Sequence, residues 1–160
     1  MLKTIVAASM FAVLASSAAN AQPSDYRTRF AFNQPVALPG VTLPPGTYMF
    51  RVANGRSSAR VVQVLSADGS RSYALFATIP IQRPEAPVDP EVQFMETPEG
   101  IATAVRAWWY PGTATGYEFV YPRPQAEWLA RRTDAPVLTT AADAGRMVRL
   151  EPSGNETHVN

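Results

Sequence analysis

The chain has 160 residues, with 14 Lys and Arg, 13 Asp and Glu, one His and no Cys, for a formal net charge of +1. The missing cysteine excludes disulfides, thiol nucleophiles and thiolate metal sites. A charge so near zero leaves no general attraction to nucleic acid or to an anionic membrane.

Met1-Leu2-Lys3 supplies one positive charge, and Thr4 to Leu14 is an apolar run too short to span a membrane. Ala19-Asn20-Ala21 has the small-x-small pattern of a signal-peptidase site. Residues 1–21 are therefore read as a signal peptide, with a mature start at Gln22. No cysteine follows the run, so a lipoprotein anchor is excluded. The expected address is export, to the periplasm or the extracellular space, with no transmembrane segment in the mature chain. Cleavage also removes Lys3, the only lysine, and leaves thirteen Arg against thirteen acidic residues. Schiff-base and lysine-base catalysis are excluded with it.

The remaining residues, about 139, suit one domain with a real core. All 15 prolines fall in this part and separate short apolar segments, which fits an all-β domain far better than a helical bundle. Residues 22–28 read as a polar leader, and 29–138 as the β domain. Arg29 to Phe32 opens the first strand, and Pro45-Gly46 supplies a tight turn. Thr47 to Val52 alternates clearly, with Tyr48, Phe50 and Val52 inward. Asn54-Gly55 marks a turn, and Ala59 to Leu65 is the next strand. Asp68-Gly69 is a hairpin signal from which Ser72 to Ile79 returns, with Tyr73, Leu75, Ala77 and Ile79 on one face. Pro80 to Pro90 is a long connector. Val92 to Glu96 is a short strand, and Pro98-Glu99-Gly100 a turn.

Arg106 to Gly112 and Gly116 to Pro122 then form the aromatic centre of the chain, two strands joined through Pro111-Gly112. The expected register sets Tyr110 opposite Tyr117, Trp108 opposite Phe119 and Arg106 opposite Tyr121. Trp108, Tyr110, Tyr117, Phe119 and Tyr121 then share one face, and Trp109 and Glu118 the other. That face is read as the core of a small β domain. Two other readings remain open: an exposed platform for a flat ligand such as a sugar ring, or a buried face with Trp109 alone exposed. Trp108→Ala is expected to be severe and Trp109→Ala mild.

Pro124 suits the first turn of a helix over residues 123–132, with Glu127 and Arg131 as an i,i+4 pair and Trp128 and Leu129 as the edge packed on the sheet. Residues 139–160 are poor in apolar side chains and read as a flexible tail.

No catalytic, cofactor or metal site is expected. The single His, His158, lies two residues from the C-terminus, which disfavours a Ser-His-Asp triad or a His-based metal site. Carboxylates stand in pairs at Asp89 and Glu91 and at Glu96 and Glu99; either pair is more simply a set of solvated loop charges than a glycosidase site. Glu118 interrupts an aromatic strand, and a salt bridge to Arg106 or Arg51 accounts for it. The ligand-binding candidates are Trp109, Trp108 and Tyr110 as stacking surfaces, with Glu118 and Arg106 beside them.

Three blocks carry a resemblance: Asn33-Gln34-Pro35-Val36; Leu38-Pro39-Gly40 with Leu43-Pro44-Pro45-Gly46-Thr47-Tyr48; and Trp109-Tyr110-Pro111-Gly112 with Glu118-Phe119-Val120-Tyr121-Pro122. Together they resemble a group of short, exported, uncharacterised bacterial proteins, over about Phe30 to Pro136. The resemblance implies an exported β-sandwich-like domain with a C-terminal helix, and no activity or cofactor.

The fold expected is an antiparallel β-sandwich or partly closed barrel of about seven or eight strands with one short C-terminal helix. The function expected is that of an exported non-catalytic β module, acting by binding or in cell-envelope structure on an envelope protein or a glycan. A carbohydrate-binding domain with an aromatic platform and a carboxylate-dependent glycan hydrolase are the alternatives.

Overall fold

Alternation of apolar and polar residues, cut by Pro and Gly, gives twelve strands and one helix among the residues described by the computed structural model, 27–53, 60–143 and 145–159. The expected signal peptide, most of the leader and the Asn54-Gly55 turn lie outside those residues.

The strands are β1 (Arg27–Phe32), β2 (Val36–Leu38), β3 (Val41–Leu43), β4 (Gly46–Ala53), β5 (Arg60–Ser66), β6 (Ser72–Gln82), β7 (Glu91–Phe94), β8 (Thr103–Trp109) and β9 (Thr115–Phe119), then β10 (Val137–Thr140), β11 (Met147–Leu150) and β12 (Glu156–His158). The helix α1 (Arg123–Thr133) stands between β9 and β10. Nine strands make one mixed sheet in the order β1-β4-β5-β6-β9-β8-β2-β3, with β7 on β8; β10, β11 and β12 make a second. The protein is all-β and the large sheet does not close into a barrel. Its one parallel contact sets Val36 and Ala37 of β2 beside Thr103 and Ala104 of β8.

Strands β4 and β6 show how the faces sort. Tyr48 and Phe50 are buried as their alternation requires, and Val52 is half-buried. On β6 the expected face of Tyr73, Leu75, Ala77 and Ile79 exists but points outward, with Leu75 62% exposed, while Phe76 and Thr78 point into the core. Between β5 and β6, the Asp68 carboxylate accepts hydrogen bonds from the Ser66 hydroxyl and the Ser70 N–H. These bonds hold its pKa down to about 2. Gly69 takes the positive φ of 76° that the hairpin needs.

The sheet curls so that its inner face meets itself. Phe50 of β4 lies 6.1 Å from Trp108 of β8 and 6.4 Å from Phe119 of β9. Phe32 of β1 lies 6.1 Å from Phe94 of β7. Edge-to-face pairs of this kind add to the burial of the rings themselves. The core is continuous from these aromatics to Ala126, Leu129 and Ala130 of α1 and to Val137 and Leu150 of the small sheet.

Several expectations are corrected. Strands number twelve among the described residues, because β2, β3 and the C-terminal three are too short or too polar to stand out in sequence. β1 starts two residues earlier, taking Arg27 and Thr28 from the leader. In α1, Glu127 pairs with Arg123 at 3.1 Å rather than with Arg131. Leu129 is buried there, but Trp128 is 39% exposed beneath the Arg132 guanidinium.

The largest correction is the tail. Residues 137–158 form a three-stranded sheet with Thr139, Val148 and Leu150 buried. Tyr121 fastens it: its N–H donates to Leu138 O, and its carbonyl accepts from the Thr139 hydroxyl at 2.8 Å.

Candidate functional site

The aromatic hairpin is positioned by β8 and β9 in the centre of the large sheet. Its register is two residues from the expected one: Trp108 opposes Tyr117, Trp109 opposes Gly116 and Ala107 opposes Glu118. An even slip keeps every side chain on its face, so Trp108, Tyr117, Phe119 and Tyr121 are all buried together. Trp108 stacks on Tyr117 at 5.4 Å. Tyr110, just past β8, is half-buried against the same cluster.

Trp109 lies on the other face as expected, yet it is only 5% exposed. Gly116 opposite has no side chain, and the indole lies over its backbone so closely that a Cβ there would fall 2.5 Å from Trp109 Nε1. Arg83 covers the ring from above at 5.3 Å. Neither tryptophan offers the open face that a sugar platform needs. The clue in the sequence was Gly116, which reads as turn material but serves as the cross-strand partner of an aromatic.

Glu118 has its side chain 3% exposed, and its carboxylate is held on two sides. Arg149 of β11 grips it through both oxygens at 2.6 Å, and Arg106 Nε stands 3.4 Å from Oε1. The expected Arg106 contact is present; Arg51 instead donates to Gln63. Arg149 was missed because it lies in the stretch read as a tail. Its pKa is raised, first by the hydrogen bonds to Glu118 and then by the charge of that carboxylate, against the pull of desolvation. Glu118, Arg106 and Arg149 thus form a clasp between the two sheets, with no carboxylate edge left open to a substrate.

The other carboxylates stay at the surface. Glu91 pairs with Arg83 at 2.9 Å, and Asp89, Glu96 and Glu99 are exposed. Among the described residues no three His, Asp or Glu side chains converge on a point that could hold a metal ion. His158 sits exposed on β12, opposite Val148. No helix among those residues is long and apolar enough to cross a membrane.

A concave feature lies elsewhere, at the seam where the curled sheet fails to close. Among the described strands β1 pairs with β4 alone and β7 with β8 alone. Between them runs a groove with two chambers that share Pro90. One, of about 500 Å³, is lined by Phe30, Phe32, Val92 and Phe94 together with the Asn33–Val36 bend. The other, of about 400 Å³, is lined by Arg27, Thr28, Arg29, Met49, Tyr110 and Pro111. Thr28 points inward, opposite Phe50 in the β1–β4 register, and is 7% exposed. Its hydroxyl has no hydrogen-bond partner. A buried, unsatisfied hydroxyl costs stability unless something fills the need. Of the ligand-binding candidates named from the sequence, Tyr110 lines this groove, and so does Glu91 of the carboxylate pairs.

Comparison with protein-family models, with curated proteins and with solved structures returns no match.

Proposed function

We propose that this protein is an exported, non-catalytic β module that acts by binding a component of the cell envelope. The observation that carries the reading is the β1–β7 groove. It is a concavity with an apolar wall at Phe30, Phe32, Val92 and Phe94, bordered by two strand edges and containing one unsatisfied buried hydroxyl. Export rests on Lys3, the apolar run to Leu14 and Ala19-Asn20-Ala21. The groove replaces Trp108 and Trp109 as the binding surface, since both indoles are engaged in packing.

The experiment compares the mature chain with a Phe94→Asp variant, a change at a partly exposed position inside the groove. Both are immobilised and exposed to solubilised envelope from the producing cell. A component retained by the parent and lost by the variant, with thermal midpoints alike, is the expected result. Identical retention by the two proteins would remove the groove as the binding site. Intact-mass measurement of the chain recovered from the producing cell tests export separately: a mass that includes residues 1–21 contradicts it.

A further inference from the structure

A separate cavity, of about 450 Å³, lies where the small sheet rests on the outer face of the large one. It is lined by Ile79, Pro80, Arg146, Met147, His158 and Val159. The Glu118–Arg149 clasp accounts for its position. Ile79 of β6 is the register partner of Glu118 on β9, so the two side chains share the outer face. Met147 stands two residues before Arg149 on β11 and points to the same side of that strand. With Arg149 gripping Glu118, Met147 and Ile79 become opposite walls of one space. β12 adds the third wall: His158 opposes Val148, and Val159 follows it. The volume falls within the range of small-molecule sites, about 300–1,000 Å³.

The lining is apolar except for one guanidinium and one imidazole, and it contains no acidic side chain. Arg146 and His158 stand exposed at the rim, and neither side chain bonds to any described residue. Arg146 is nevertheless fixed through its backbone. Its carbonyl accepts from the Ala141 N–H at 2.7 Å, closing the turn in which Gly145 takes a φ of 62°. Asp143, on the same turn, is exposed and forms no ion pair with Arg146. The other charged side chains of β11 and β12, Arg149 and Glu156, are occupied by Glu118 and Arg123. We infer that this cavity binds an organic anion. Arg146 and His158 hold its carboxylate, sulfonate or phosphate head, and its apolar body lies on Ile79, Pro80 and Met147. A guanidinium presents a fork of N–H donors suited to such a head, and hydrogen bonds to an ionised group are the stronger kind. The imidazole, once protonated, adds a second positive charge.

The test titrates the mature chain with hexanesulfonate, followed through backbone amide shifts. Hexanol and inorganic sulfate serve as controls for the body and the head alone. Hexanesulfonate stays ionised at every pH used, so a pH dependence belongs to the protein. It is expected to shift the amides of Ile79, Met147 and Val159 and to bind at least about tenfold more tightly than either control. R146Q, at an exposed position, should weaken binding about tenfold. Affinity should rise several-fold from about pH 8 to about pH 5.5, as an imidazole gains its proton, and H158Q should abolish that rise. Phe94→Asp, in the groove, should leave the affinity unchanged. Equal affinity for hexanol, full affinity in R146Q, or shifts confined to β1 and β7 overturns the inference, the last of these while keeping the groove as a binding site. Sulfate bound as tightly as hexanesulfonate means an adventitious ion only and overturns it too. So does the absence of binding by folded protein. Sedimentation with phosphatidylglycerol vesicles, lost in R146Q, would assign the bound head to a lipid rather than to a free solute.

Discussion

At the scale of single residues, the hairpin is governed by what each aromatic meets. Trp108 and Phe119 are fully buried, and truncation of either to Ala removes transfer energy and leaves a cavity. A loss of about 3–5 kcal/mol is expected for each, measured by denaturant melts. Trp109→Ala is expected to cost well over 1 kcal/mol rather than to be mild, because the indole is packed between Gly116 and Arg83. Gly116→Ala drives a Cβ into that ring and is expected to cost about 1–3 kcal/mol. If Gly116→Ala melts like the parent, the indole is not seated there. Tyr121 carries a pH signature. Its hydroxyl donates to Val105 O at 2.6 Å, and burial raises its pKa well above the ordinary phenol range. A group whose folded pKa lies above the unfolded one loses its contribution as pH rises past the unfolded value, about 10 for tyrosine. Stability should therefore be flat in this respect below about pH 10 and fall above it. Tyr121→Phe should be less stable at neutral pH but show a shallower alkaline decline; an equal decline would point to another group.

At the scale of elements, the C-terminal sheet behaves as part of the domain. β11 buries Val148 and Leu150, and Arg149 between them closes on Glu118. Side chains of that size are worth about 1.5–3 kcal/mol each when fully buried. Deleting residues 139–160 also strands the Glu118 carboxylate beside a single, more distant arginine. The thermal midpoint should fall by about 10 °C or more. A deletion protein that melts within a few degrees of the parent would show that the sheet is only an appendage. Glu118→Gln isolates the clasp: it keeps the shape, removes the charge from two arginines, and should cost about 3 kcal/mol. Arg149→Ala and Glu118→Gln should not add, since they break the same contact.

At the scale of the whole molecule, stability is expected to grade from the middle of the large sheet to its seam. β9 is paired on both sides, by β6 and β8, while β1 and β7 are each paired on one. Native-state hydrogen exchange should therefore protect β9 most and release amides of β1 and β7 at much lower opening energies. Uniform protection across β1, β7 and β9 would mean that the seam is closed in solution.

Much of this was legible along the chain. Pro-Gly and Asp-Gly punctuation, with period-2 alternation at Tyr48, Phe50 and the Trp108–Phe119 hairpin, was enough to identify an all-β domain with one helix, because those signals are local and the pleat fixes the side of each residue. Face assignment even survived a wrong register, since a slip of two leaves parity intact. Three things were decided only in three dimensions. The strands β10, β11 and β12 lie in a stretch that looks too polar to order alone, and they fold because Tyr121 offers backbone hydrogen bonds and Glu118 a buried carboxylate, both distant in sequence. Trp109 is hidden by Gly116 and Arg83, a contact that no pattern around Trp109 foretells. The groove exists because the sheet curls far enough to bring Phe32 against Phe94 but not far enough to pair β1 with β7. Curl is the sum of twists over many strands, and it is written in no single segment.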